Sequence, residues 1–295
     1  MTAPSHFADR LAERILAVDS RISVGCDPAP EHLPPEVKAA GEEVAAVDRF
    51  GAELIEAVAA EAAAIKFQAA FYERLGPPGY EVLARHLRLT REAGPLAILD
   101  CKRSDVGHTM RAYCEAYVNP GAPLEADAVT LTPYLGADGL APFSVCAAEH
   151  GKGFFVVVKS SNPSAADVQE VRMEDGEPVY HRVAQMTAAV GRHLVGARGY
   201  SAAGAVVGAT FPEAVAELRE LMPEQFFLLP GVGAQGGEAG ALGAAFDADG
   251  LGGLVAASRS VAFAWEQREG VDWREAAREA ARELKATVNA TLSTA

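Results

Sequence analysis

Two aspartates, a lysine and an arginine crowd into six positions, Asp100-Cys101-Lys102-Arg103-Ser104-Asp105, directly after the apolar run Pro95-Leu96-Ala97-Ile98-Leu99. The run is short and opens on Gly94-Pro95, the pattern of a buried strand. Side chains alternate along a strand, so Asp100 and Lys102 share a face, roughly 6.5–7 Å apart at the backbone. Charge at the end of a buried strand must be paired, because stray buried charge is expensive. An ammonium held beside carboxylates can pass a proton and stabilise developing negative charge. The six residues are therefore a candidate site.

The elements that must position such a site repeat along the chain. Short apolar runs at 22–26, 63–67, 96–99, 128–131, 154–158, 204–207, 226–229 and 253–257 are separated by segments of helical periodicity. Val44-Phe50-Leu54-Ile55-Val58 and Ala214-Val215-Leu218-Leu221 are examples of the latter. The runs are apolar throughout, as in parallel strands covered on both faces. Each gap is long enough for a right-handed crossover. Eight such units predict a closed (β/α)8 barrel in a single domain spanning residues 1–295, with an open doubly wound sheet as the rival. The glycines of 231–237 follow the seventh run, where a dinucleotide fingerprint would follow the first, so a Rossmann reading is weak.

Two segments exceed a minimal unit. Phe7, Leu11, Ile15 and Leu16 mark an amphipathic helix at about 5–18, suited to covering the barrel bottom. Residues 160–181 form an insertion after strand five, with Asp175-Gly176 as a hairpin turn. The insertion is expected to act as a lid.

Chemistry in such a barrel gathers at the C-terminal ends of the strands. Those ends carry Asp27, Lys66, Asp100, Lys102, Ser160, Ser161, Gly231, Gly233, Ser258 and Arg259. Loops after strands seven and eight are the usual phosphate sites of this architecture. Freed glycine N–H groups and the Arg259 guanidinium would hold a phosphate monoester there. His108 has no acidic orienter nearby in sequence, His150 reads as a helix end, and Asp247-Ala248-Asp249 as a turn at the wrong end of strand eight.

Bulk properties narrow the partners. The chain has 295 residues, a net charge of −14 and four cysteines without metal-ligand spacing. The charge argues against nucleic acid and anionic membrane as partners. Unpaired cysteines, with neither a secretory signal nor a membrane-spanning run, predict a cytoplasmic protein.

The charged cluster resembles the Asp-x-Lys-x-x-Asp signature of the orotidine 5′-phosphate decarboxylase family. Val106-Gly107-His108-Thr109 extends the likeness. Ser160-Ser161-Asn162-Pro163, the stretch 230–237 and Ser258-Arg259 resemble its longer bacterial subgroup. The resemblance implies decarboxylation of orotidine 5′-phosphate to UMP in pyrimidine biosynthesis without metal or organic cofactor. It implies a catalytic array of Lys66, Asp100, Lys102 and Asp105, with Lys102 protonating C6. It also implies a homodimer in which Asp105 and Thr109 serve the partner's site. Asp27 and Lys66 would bind ribose, Ser160 or Ser161 the pyrimidine edge, Gln235 both base and phosphate, and Gly233 and Arg259 the phosphate. Two alternatives keep the barrel. One is a Mg²⁺-dependent keto-sugar-phosphate decarboxylase or hexulose-phosphate synthase, against which Lys66-Phe67-Gln68 stands where an acidic ligand is expected. The other is an inactive phosphometabolite-binding barrel.

Overall fold

Eight parallel strands close on themselves: β1 (Ile22–Cys26), β2 (Ala64–Gln68), β3 (Leu96–Arg103), β4 (Ala128–Leu131), β5 (Gly153–Lys159), β6 (Ser201–Val207), β7 (Gln225–Pro230) and β8 (Gly253–Ala257). Each pairs with the next, and β8 returns to β1 through Ile22 opposite Val255. The computed structural model describes residues 5–39, 41–232 and 242–292. Closure excludes the open-sheet rival and leaves no edge to protect.

The helices are α1 (Phe7–Val18), α2 (Pro35–Lys38), α3 (Glu43–Val58), α4 (Ala70–Glu73), α5 (Pro77–Ala93) and α6 (Gly107–Tyr117). They continue with α7 (Ala137–His150), α8 (Ala166–Gln169), α9 (Val179–Gly191), α10 (Pro212–Leu221), α11 (Arg259–Ala262) and α12 (Trp273–Leu292). Amphipathic spacing sets their inner faces: Phe50, Leu54, Ile55 and Val58 of α3 are all buried, as are Ala214, Val215 and Leu218 of α10. Between the helix ring and the barrel, consecutive aromatics such as Phe154-Phe155 and Phe226-Phe227 are buried on both strand faces. That is why these strands read as unbroken apolar runs.

Helix α1 lies across the N-terminal ends of the strands. Phe7 packs edge-on against Phe155, Arg10 donates to Asp127 at 2.7 Å, and Arg14 donates to the carbonyl of Ala62 just before β2. The opposite rim is left for the loops that carry chemistry. No helix among the described residues is long and apolar enough to cross a membrane.

Several boundaries differ from the sequence reading. Strand β3 runs four residues beyond Leu99, so Asp100 and Lys102 sit within the strand. The apolar signal ends early because Asp100 is charged, yet it is buried and paired, so the ladder continues. The insertion after β5 ends at Pro178, since Val179–His181 already form the first turn of α9. Inside it, the Asp175-Gly176 turn closes with Met173 N–H on the Glu177 carbonyl at 2.9 Å, flanked by a single bridge from Arg172 to Pro178. Finally, β5 to β7 each extend beyond their apolar runs, down to Gly153, Ser201 and Gln225.

Candidate active site

Asp100 is the hub of the C-terminal rim. Its carboxylate accepts from Lys66 Nζ at 3.0 Å, Gln68 Nε2 at 3.1 Å, Lys102 Nζ at 2.6 Å and Thr130 Oγ1 at 2.8 Å. Four donors on one buried carboxylate is close to its full accepting capacity. Burial alone would raise the acid's pKa, but Lys66, Lys102 and the hydrogen bonds hold it well below the usual carboxylate range. Lys66 shows the complementary balance. Burial would lower its pKa, yet Asp27 and Asp100 push the ammonium above the ordinary lysine range. The pair is locked in the charged state.

Lys102 reaches this position through an unusual backbone. Its φ is +46°, a left-handed conformation that non-glycine residues rarely adopt. The β3–β4 register shifts between Leu99 and Arg103, and Lys102 N–H turns to Thr130 Oγ1 at 3.0 Å. This irregularity aims the side chain, as bulges beside active sites do. Lys102 keeps 46% of its side chain exposed, whereas Asp100 keeps 8%. One ammonium is buried and fixed; the other is open to a ligand and to solvent.

Around the hub lies a cavity of about 530 Å³. Asp27, Lys66, Asp100, Lys102, Ser160, Ser161 and Arg259 all line it, so strands 1, 2, 3, 5 and 8 converge there. Asp27 Oδ1 is buried with no hydrogen-bond partner among the described residues, 3.9 Å from Lys66 Nζ. Arg259 is exposed on the first turn of α11 and forms no ion pair or hydrogen bond with any described side chain. Two close approaches shape the floor. A Cβ on Gly25 would stand 1.9 Å from Ser258 Oγ, and one on Gly208 would stand 2.9 Å from Ser161 Cα. Only glycine lets Ser258 and Ser161 sit where they do.

The remaining expected residues are placed differently. Asp105 and Thr109 do not line the cavity of their own chain. Asp105 accepts from Val106 N–H at 2.7 Å, and Thr109 Oγ1 lies 3.3 Å from His108. Gly233 and Gln235 lie outside the described residues. Sequence reasoning missed Thr130 as a donor to Asp100. The available signal was a lone hydroxyl within the apolar run of β4. It also passed over His32, which lines the mouth, bonds Glu266 at 2.8 Å and stacks on Phe263. Cys26 and Cys101 pack behind the rim, with burial pushing both thiols up to about 12. Among the described residues no group of three or more His, Cys, Asp or Glu is set to hold a metal ion.

Fold and rim define a (β/α)8 barrel with a lysine–aspartate site at the C-terminal ends of its strands. The family model for orotidine 5′-phosphate decarboxylase / HUMPS matches residues 36–272. The chain belongs to that family. It is 39% identical over 294 residues to the orotidine 5′-phosphate decarboxylase of Rhodopirellula baltica, covering 94% of this chain and 97% of the relative. Its identity to the Deinococcus radiodurans protein of the same name is 40% over 289 residues, covering 97% of this chain and 98% of the other. A crystal structure of a Streptomyces avermitilis protein superposes with a TM-score of 0.85 at 33% identity, covering 99% of this chain and 98% of that one.

Proposed function

We propose that the chain decarboxylates orotidine 5′-phosphate to UMP, as a carbon–carbon lyase of pyrimidine biosynthesis. The observation that carries this reading is the Lys66–Asp100–Lys102 triplet, with an open ammonium on a cavity fit for a nucleotide. In this reading Arg259 takes the phosphate with Gly233 and Gln235, Asp27 and Lys66 take ribose hydroxyls, and C6 lies over Lys102. Breaking the C6–carboxylate bond leaves its electron pair at C6, in an orbital the ring delocalises poorly. The Lys102 ammonium stabilises that charge before transfer and then gives C6 its proton. Solvent restores the proton to Lys102, which its exposure permits. Asp100 acts as part of a field already oriented before reaction, so little reorganisation is needed as charge develops. Phosphate binding far from C6 supplies energy realised in the transition state.

The donor set favours this reaction over the metal-dependent relatives. A divalent cation between Asp27 and Asp100 would displace or confront the Lys66 ammonium, which already lies there. Gln68, at the end of β2, spends its amide on Asp100. An inactive binding barrel would leave the strained, exposed Lys102 without a purpose.

The same reading treats the chain as one barrel domain with residues 160–178 as a lid, working in the cytoplasm, where its four free cysteines stay reduced. It pairs two copies so that Asp105 and Thr109 complete the neighbouring cavity. Supporting this, Val106, Tyr134 and Leu135 are exposed apolar side chains, and Asp105 and Leu135 both lie against Gly139. The direct test is incubation of purified protein with orotidine 5′-phosphate in EDTA, following loss of substrate absorbance. Turnover without metal is expected; activity that appears only on adding Mg²⁺ would move the assignment to the metal-dependent branch.

A further inference from the structure

The insertion after β5 begins on the cavity wall and is anchored beside it. Lys159, the last residue of β5, is buried, and its ammonium lies 5.2 Å from the Tyr180 ring centre and 4.7 Å from that of Phe211. It pairs with Glu170, just past the end of α8. The neighbouring Gln169 then meets Ser160 twice. Its Oε1 accepts from the Ser160 N–H at 2.9 Å, and its Nε2 donates to Ser160 Oγ at 2.8 Å. Ser160 Oγ in turn donates to Asn162 Oδ1 at 2.7 Å. With its one proton given away, Ser160 has no donor left for a ligand.

Ser161 is in the opposite condition. Its backbone is pressed against Gly208 and its carbonyl is reached by Thr210, while its hydroxyl meets no described partner. We infer that Gln169 is a positioning residue: it clamps Ser160 so that Ser161, with a free hydroxyl, presents to the pyrimidine edge of the substrate. The inference rests on the decarboxylase reading, in which one of the two serines meets the base, and goes further by assigning the alignment of that serine to Gln169 of the insertion.

Calorimetric titration with UMP and with ribose 5-phosphate, which lacks the base, tests it. Gln169→Ala should weaken UMP about tenfold or more, from two lost hydrogen bonds at the clamp, and leave ribose 5-phosphate within about twofold. Ser161→Ala should show the same split. The double variant should lose no more than the larger single, since both act on one contact. Equal weakening of both ligands, unchanged UMP affinity, or additive losses would overturn the inference. Should Gln169→Ala not fold, Gln169→Glu keeps an acceptor for the Ser160 N–H and is read by the same ligand pair. Turnover of orotidine 5′-phosphate by the unaltered protein separates the two claims. An inactive wild type removes the decarboxylase reading and this inference with it, while an active one with a silent Gln169 removes the inference alone.

Discussion

The barrel carries a buried ionic cluster at each end, and the two are built for different ends. At the N-terminal rim, Asp127 accepts from Arg10 at 2.7 Å and from the Ala97 N–H at 2.9 Å, while Lys152 donates to Glu125 at 2.8 Å. Asp127 and Lys152 are as buried as Asp100 and Lys66. Arg10, Asp127, Lys152 and Glu125 each have a partner within the chain, and α1 covers the cluster. At the C-terminal rim the hub is equally well satisfied, but its neighbours are not. Among the described residues Asp27 Oδ1 has no hydrogen-bond partner and Arg259 no ion-pair partner, and Lys102 holds a left-handed backbone with nearly half its side chain open. Burial and charge are shared by both clusters. Unspent hydrogen-bonding capacity around a cavity separates a site from a staple.

The sharpest way to break the comparison is Lys102→Ala. Loss of UMP formation by about 10⁴-fold or more is expected, with UMP binding still measurable, because both proton donation and charge stabilisation go. Turnover near the wild-type rate would mean that this ammonium is not the donor. The mirror experiment at the other rim is Asp127→Ala. It should cost about 2–4 kcal/mol of folding stability by stranding Arg10 and the Ala97 N–H, and leave kcat alone. A fall in kcat at unchanged melting temperature would erase the distinction between the rims.

Arg259→Ala should come next in size. UMP affinity should fall roughly 10–100-fold through lost charge-assisted bonds to phosphate, while affinity for uridine stays level. If uridine weakens as much as UMP, the guanidinium does not read the phosphate.

The smallest effect concerns pH. Asp100 is depressed in the folded state, so its stabilisation is present above the unfolded value of about 3.9 and fades as pH falls below it. Lys66 is raised, so its contribution is present below about 10.4 and fades as pH climbs through the folded value. Between about pH 5 and 9 the pair gives a flat stability profile. Melting curves should fall below pH 4, and Asp100→Asn should lower stability at neutrality while flattening that acid limb. Parallel limbs in the two proteins would show that Asp100 is not the group lost in acid.

Much of the architecture could be read from residue order. Strands covered on both faces are apolar without alternation, and the spaces between them suit crossover helices, so eight units followed; the return of β8 to β1 is what excluded the open sheet. The charged cluster after Leu99 was visible because such groups are expensive at a buried strand end. The true length of β3 was not, since a paired carboxylate looks the same in sequence as a strand terminator. Thr130 and Gln68 stand about 30 residues from the aspartate they bind, and no local periodicity records that distance.

Composition and spacing by themselves pointed to eight parallel strand–helix units and to the strand ends that bear charge, Asp100 and Lys102 among them. These are properties of neighbours along the chain, where burial preference and alternation act. Only the tertiary structure decided that Lys102 takes a left-handed turn under the hold of Thr130. It alone separated a spent Ser160 from a Ser161 whose hydroxyl meets no described partner, and left Asp105 out of the lining of its own chain's cavity. Each of those depends on a hydrogen-bond ledger closed between distant segments. Such a ledger exists only once the barrel has brought the strand ends together.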